Sequence, residues 1–228
     1  MRIVPADPTS WSTFDLLQFL PMGPGRCLDL GCGLGARQEL TDRGFQYCGL
    51  DFAPTPGANL RGDAQCLPFA NSTFTLVIAA SSFEHFQDPW AAAREVARVL
   101  APGGCAVVSL SFLEPYHARS HFHMSHLGAA KLFSGAGLIV ERMEPFEWTG
   151  PEAITQALFQ FAPMRWLTAA LVRPTLWLRK LVILLVIARS PVGPRRERAQ
   201  EFLAEERFRF TAGIKLRLRR PDLTLPHP

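Results

Sequence analysis

Cys27-Leu28-Asp29-Leu30-Gly31-Cys32-Gly33-Leu34-Gly35-Ala36, then a polar segment, then Phe45-Gln46-Tyr47-Cys48-Gly49-Leu50-Asp51 is the stretch that decides this fold. A short apolar run ends in an acid, glycines follow at every second position, and a second apolar run ends in another acid. The pattern predicts a strand, a tight glycine turn, a helix and a second strand. Such a unit cradles a nucleoside. Small residues let the backbone approach a ligand, and a helix N-terminus offers N–H groups to an anion. Asp51, twenty residues after Gly31, stands where an acid at a strand tip accepts ribose hydroxyls.

Two ligands fit those glycines, a dinucleotide and S-adenosylmethionine. Gly31-x-Gly33-x-x-Ala36 satisfies the loose dinucleotide pattern, so the glycines alone decide nothing. Asp29 is more telling, because a carboxylate there repels a pyrophosphate but accepts hydrogen bonds from the ammonium of an amino acid. Residues 27–35 resemble the first motif of the class I S-adenosylmethionine-dependent methyltransferases of the small-molecule type, and the resemblance continues downstream.

Leu60-Arg61-Gly62-Asp63-Ala64-Gln65-Cys66-Leu67-Pro68-Phe69 looks like the third motif of that family. The resemblance implies that the Asp63 side chain and the Ala64 N–H read the adenine amino edge; the competing reading is a turn acid serving its own backbone. Phe52, directly after Asp51, is placed to lie against the adenine or simply to pack. Asn71 to Ser82 reads as a turn and a buried strand, with Thr75 where the family usually has Asp. The segment Ser81-Ser82-Phe83-Glu84-His85-Phe86-Gln87-Asp88-Pro89 resembles the one that lines the methyl-transfer site in small-molecule methyltransferases. It contributes Ser81 to the expected cofactor site and His85 as the catalytic base, should the acceptor carry a proton. The Pro-Pro-aromatic motif typical of base and amide N-methylation is missing, which counts against a nucleic-acid acceptor.

Asp88 and Pro89 predict an N-cap and first residue of a helix running to Val99-Leu100, stopped by Pro102-Gly103-Gly104. A strand over Cys105–Phe112 is expected next. His117, His121, His123 and His126 follow close together. They lack Cys or carboxylate partners at fixed spacing, so no metal is expected; the resemblance makes His117 and His121 substrate contacts. A helix from His126 and a sixth strand over Leu138–Met143 complete this part. Upstream, Ser10–Leu20 reads as a capped amphipathic helix.

The expected fold is α/β: a doubly wound, mostly parallel seven-stranded sheet, Rossmann-like, with a helical insertion before the last strand. The domain comprises residues 1–144 plus 207–221, and the insertion residues 145–206. That insertion is the most hydrophobic region, with helical segments expected to break at Pro163 and Pro174. From Leu176 to Ala188 a helix covers about 20 Å against a hydrocarbon core of about 30 Å, so a transmembrane span is not expected. A lid over an apolar pocket, an in-plane membrane anchor and a buried helix pair stay open. Arg207 to Arg219 alternates apolar and basic residues and should be the last strand. Its charged face conflicts with a strand buried on both sides, so either that face is open or only part of the run lies in the sheet.

Composition agrees. At 228 residues with 48% apolar side chains, one elaborated globular domain is expected. Five cysteines in or beside apolar runs, without CxxC spacing, read as reduced core residues of a cytoplasmic protein. Met1–Pro8 shows no apolar stretch of a signal peptide. The net charge of +4 is uneven: residues 1–164 hold 10 basic and 15 acidic side chains, and residues 165–228 hold 14 and 5. The basic part predicts an anionic partner, here peripheral membrane contact through 165–220. The cofactor expected is S-adenosylmethionine and the acceptor a small lipophilic molecule. The alternatives are a non-catalytic, membrane-associated cofactor binder and an NAD-dependent oxidoreductase.

Overall fold

The computed structural model describes residues 16–113, 119–146, 165–205, 208 and 211–222. Seven strands form one sheet: β1 (Gly25–Leu30), β2 (Phe45–Asp51), β3 (Leu60–Arg61), β4 (Phe74–Ala79), β5 (Leu100–Ser111), β6 (Ile139–Pro145) and β7 (Gly213–Arg219). Their order across the sheet is β3-β2-β1-β4-β5-β7-β6. Strands β3, β2, β1, β4 and β5 run parallel. Backbone bonds join Gly104 with Arg220 and Phe112 with Ala212. As one index rises by eight the other falls by eight, so β7 runs antiparallel to β5. The expected mostly parallel, Rossmann-like sheet is the one found.

Its order reverses between β1 and β4, and an open sheet of this kind binds ligands at the carboxyl ends of the strands beside such a reversal. Helices α1 (Arg37–Asp42), α2 (Pro89–Val99) and α3 (His126–Gly135) connect strands. Strands β4 and β5 are buried on both faces over Leu76–Ala79 and Cys105–Ser111, as their mostly apolar runs require. One layer of core gathers Phe19, Cys27, Leu40, Phe45, Leu76, Ile78 and Val107. Elsewhere Phe83 meets Phe133 edge to face at 5.1 Å.

Asp88 caps α2 as expected, its Oδ1 accepting from Ala91 N at 2.9 Å with Pro89 at the first position. Leu100, expected in that helix, instead begins β5. The Pro102-Gly103-Gly104 turn is absorbed as an irregularity inside the strand, where the pairing shifts from Phe74–Leu100 to Leu76–Cys105. Of the helix expected over Ser10–Leu20, residues 10–15 lie outside the described residues, and Leu17–Phe19 form a 3₁₀ turn.

The basic strand resolves on its second alternative, because the sheet strand starts only at Gly213. Its charged face is only partly covered. Lys215 is fully buried with Nζ 5.6 Å from the Phe19 ring centroid, and Arg142 lies over the same ring at 4.4 Å. Arg217 and Arg219 both reach Glu141 on β6, at 3.3 and 2.6 Å. Arg220 closes the strand by donating to the carbonyls of Arg98 and Leu100.

The chain divides into two compact units, Met1–Ser111 with Tyr116–Glu144 and Ile214–Pro228 in one, and Phe112–Pro115 with Pro145–Gly213 in the other. The second contains α4 (Arg165–Arg189) and α5 (Pro194–Ala204), which pack on each other. Pro163 lies outside the described residues. The break expected at Pro174 does not occur: α4 runs 25 residues straight through it. Pro174 is exposed, so water can satisfy the carbonyl that its missing N–H leaves. No helix among the described residues is long and apolar enough to cross a membrane.

Replacing the cap by Asp88→Ala should cost about 1 kcal/mol of unfolding free energy, read as a lower urea midpoint at unchanged slope.

Candidate active site

The carboxyl ends of β1, β2 and β4 converge at the reversal, and the glycine loop Gly31–Ala36 joins them. Gly31 N and Cys32 N donate to Leu50 O at 2.8 and 3.3 Å, Gly35 N to Cys32 O at 2.6 Å, Gly33 N to Asp51 Oδ2 at 2.9 Å and Ala36 N to Asp29 Oδ2 at 3.0 Å. Five of the six N–H groups of residues 31–36 are therefore already engaged. The glycine turn itself therefore has only the Leu34 N–H left to offer an anion. The two acids that bracket the loop, Asp29 and Asp51, accept from it first, and α1 has only six residues.

Asp29 is 4% exposed. Its Oδ2 also lies 3.0 Å from the Tyr47 hydroxyl, while Oδ1 has no hydrogen-bond partner among the described residues. Burial raises the Asp29 carboxyl to about 6, against the opposing pull of the Ala36 N–H and the Tyr47 hydroxyl. Burial and the neighbouring Asp29 together hold Tyr47 well above its usual range, so it stays a donor. Asp51 is oriented at both oxygens, Oδ2 by Gly33 N and Oδ1 by Ala53 N at 3.0 Å. A carboxylate has about four lone-pair sites, so capacity remains for two further donors such as a vicinal diol.

The glycines have separable reasons. A Cβ at Gly31 (φ +66°) would meet Ser82 Oγ at 2.6 Å, whereas one at Gly33 (φ +53°) would meet nothing within 4 Å. Gly31 is required by the protein's own packing; Gly33 leaves open space beside Asp51. Phe52 is 72% exposed next to it. Gly62 N donates to Asp51 O at 2.9 Å, which brings Asp63 and the buried Ala64 to the same end. Asp63 Oδ1 accepts from Gln65 N at 2.8 Å and Gln65 Nε2 at 2.9 Å, so it does serve its own turn.

At the end of β4, Ser81 sits at φ +45°, a left-handed conformation costing a non-glycine residue about 1–2 kcal/mol. Its N donates to the buried Ser109 Oγ at 2.9 Å. His85 follows on a 3₁₀ turn, Phe83–His85. His121 N donates to Glu84 O at 2.6 Å, placing the exposed His121 on the backbone of that turn. His117 lies outside the described residues. No metal-binding group of His, Cys, Asp or Glu occurs among the described residues.

Sequence reading missed Tyr47, Ser82, Glu84 and Ser109. Ser82 Oγ donates at 3.0 Å toward Leu30 O and so ties the ends of β1 and β4. Glu84 is buried, and its Oε1 accepts from Ser111 Oγ at 2.7 Å. Hydroxyls and an acid inside or beside apolar runs were the available signal, but they name no partner.

Comparison with known proteins agrees with this geometry. Residues 28–108 match a family described as a methyltransferase domain. An uncharacterised methyltransferase of Mycobacterium sp. (strain KMS) is 30% identical over 141 residues, covering 55% of this chain and 56% of that one. This chain thus spans about half the length of the curated relatives it matches. An S-adenosylmethionine-dependent methyltransferase from Mesorhizobium loti has the same fold, with a TM-score of 0.53 at 19% identity over 90% of this chain and 95% of that one. The cyclase SpnF also shares it, with a TM-score of 0.55 at 18% identity over 88% and 76%. Over residues 28–108 the chain is thus similar in sequence to methyltransferase domains, and its sheet has the fold of S-adenosylmethionine-dependent methyltransferases.

Gly31→Ala should lower stability by several kcal/mol, because strained φ and a buried clash add. Gly33→Ala should cost only about 1–2 kcal/mol while weakening ligand binding more than Gly31→Ala does in whatever fraction stays folded; denaturation and titration of both variants separate the two. Because Asp29 holds its proton longer when folded, stability should fall as pH rises from about 4 to about 6. Unfolding of Asp29→Asn across that window should lack this slope.

Proposed function

We propose that this protein transfers a methyl group from S-adenosylmethionine to a small, lipophilic acceptor. One observation carries the reading: the glycine loop has five of its six N–H groups engaged and is bracketed by two carboxylates, Asp29 and Asp51. A pyrophosphate needs free amides and no acids. A ligand with a diol at one end and an ammonium at the other meets Asp51 and Asp29 instead, which sets the NAD alternative aside.

In this reading Asp51 accepts the ribose hydroxyls, Phe52 lies against the adenine, and Asp63 with the Ala64 N–H reads the adenine edge. Asp29 faces the ammonium through Oδ1, Gly33 admits the ligand close to the backbone while Gly31 lets the turn pack on Ser82, and Ser81 borders the reacting end. When bound, the cofactor supplies an electrophilic methyl group on a sulfonium. The chain's own part is to hold and orient, and orientation can contribute several kcal/mol. His85 takes the proton of an acceptor that has one to lose, and His121 and His117 contact the acceptor. The lipophilic acceptor class rests on the apolar insertion, through which the protein makes peripheral membrane contact over 165–220.

Calorimetric titration with S-adenosylmethionine, S-adenosylhomocysteine and NAD checks the reading. Micromolar binding of the first two is expected, with Asp51→Ala weakening both by about 1.5–3 kcal/mol, the worth of hydrogen bonds to a charged group. Binding of NAD alone overturns the proposal. Transfer of labelled methyl into a lipid extract, but not into RNA, is the matching activity result.

A further inference from the structure

Helix α4 presents a face that its own unit does not cover. Trp177, Leu181, Leu184 and Ala188 fall in one row at helical spacing, and Leu178, Val182, Leu185 and Arg189 fall in the adjacent row. Trp177 is 66% exposed, and Leu178, Val182, Leu184 and Leu185 are exposed as well. The opposite side, Leu176, Arg179, Ile183, Val186 and Ile187, is more covered. There α4 meets α5, with Arg179 over the Phe202 ring at 5.0 Å. A helix facing water alone would carry polar residues on its outer rows.

The charges on α4 itself all have one sign. From Pro174 to Arg196 there is no Asp or Glu, while Lys180, Arg189 and Arg195 are exposed. We propose that this face docks in the plane of an anionic lipid bilayer. The leucines, Val182 and Trp177 enter the headgroup boundary, and Lys180, Arg189 and Arg195 meet lipid phosphates. Tryptophan suits that boundary because one end of its ring system is apolar and the other donates a hydrogen bond.

Charge selects this occupant over the others. A second copy laid on the same face would bring cations against cations, with no acid between Pro174 and Arg196 to pair them. A nucleic acid offers phosphates to the cations but nothing to cover two apolar rows. Only an anionic bilayer satisfies both at once. The inference deepens the reading above and rests on it for the substrate: a surface-bound enzyme draws a membrane-dissolved acceptor directly from the bilayer.

The test is co-sedimentation of the full chain with vesicles of phosphatidylcholine alone and of phosphatidylcholine mixed equally with phosphatidylglycerol. Wild-type protein should partition onto the mixed vesicles about tenfold or more better than onto the neutral ones, and salt near 1 M, where the Debye length is about 3 Å, should erase the difference. The Leu178→Glu/Leu185→Glu pair should lose at least about tenfold in partitioning, with helix content by circular dichroism unchanged. Lys180→Gln/Arg189→Gln should lose mainly the preference for the mixed vesicles. Calorimetry with S-adenosylmethionine on the same preparations separates the two readings. Cofactor binding without vesicle binding rejects the docking alone, and vesicle binding without cofactor binding rejects the methyl-transfer reading alone. Wild-type protein that ignores both vesicles, or a leucine-to-glutamate pair that partitions like wild type, overturns the proposal. So does a wild-type dimer that the same pair dissolves, which assigns the face to a second copy.

Discussion

Everything at the ligand end of this sheet depends on two carboxylates accepting from one loop. Asp29 and Asp51 end neighbouring parallel strands, and the chain between Gly31 and Ala36 must turn back over both. A loop that tight can pair only its first N–H groups with a strand, and an unmade buried hydrogen bond costs about 1–3 kcal/mol. Asp29 satisfies Ala36, Asp51 satisfies Gly33, and Leu50 O takes the two amides at the start. The same closure orients the acids. Their remaining lone pairs are thereby held in fixed places, open to further donors without additional ordering.

Around this closure the rest acts as bracing. Tyr47 reaches Asp29 from β2, and its hydroxyl also lies 3.0 Å from Gly57 O, so the loop after Asp51 is pinned against the glycine turn. Ser82 ties the end of β4 to the end of β1. Opposite the site, the last strand carries an unusual load of charge for a strand between two others. Lys215 lies against the Phe19 ring, and the half-exposed Arg217 and Arg219 pair with Glu141 on the neighbouring strand β6. The structural cost of basic residues in a buried sheet is thereby met locally.

Much of this was legible in the chain. The strand, glycine turn and second strand, the capped helix at Asp88 and the buried runs of β4 and β5 are local patterns, and local periodicity reports them faithfully. Two local rules misled. A proline inside a helix is tolerated where the helix is exposed, as at Pro174. A Pro-Gly-Gly turn can be carried within a strand when pairing resumes beyond it, as it does at Cys105.

The sequence by itself determined the order of elements, the acids at the strand tips and the glycines between them, because each depends on residues within a few positions. Only the tertiary structure decided which amides those acids would take. It also brought Tyr47, Ser82 and Ser109 to the site, and left one face of α4 apolar and open. Those outcomes depend on hydrogen bonds and packing between residues 18 to 52 positions apart. No periodicity in a single chain records such pairings. They exist only once the strands lie side by side and each buried donor must find an acceptor.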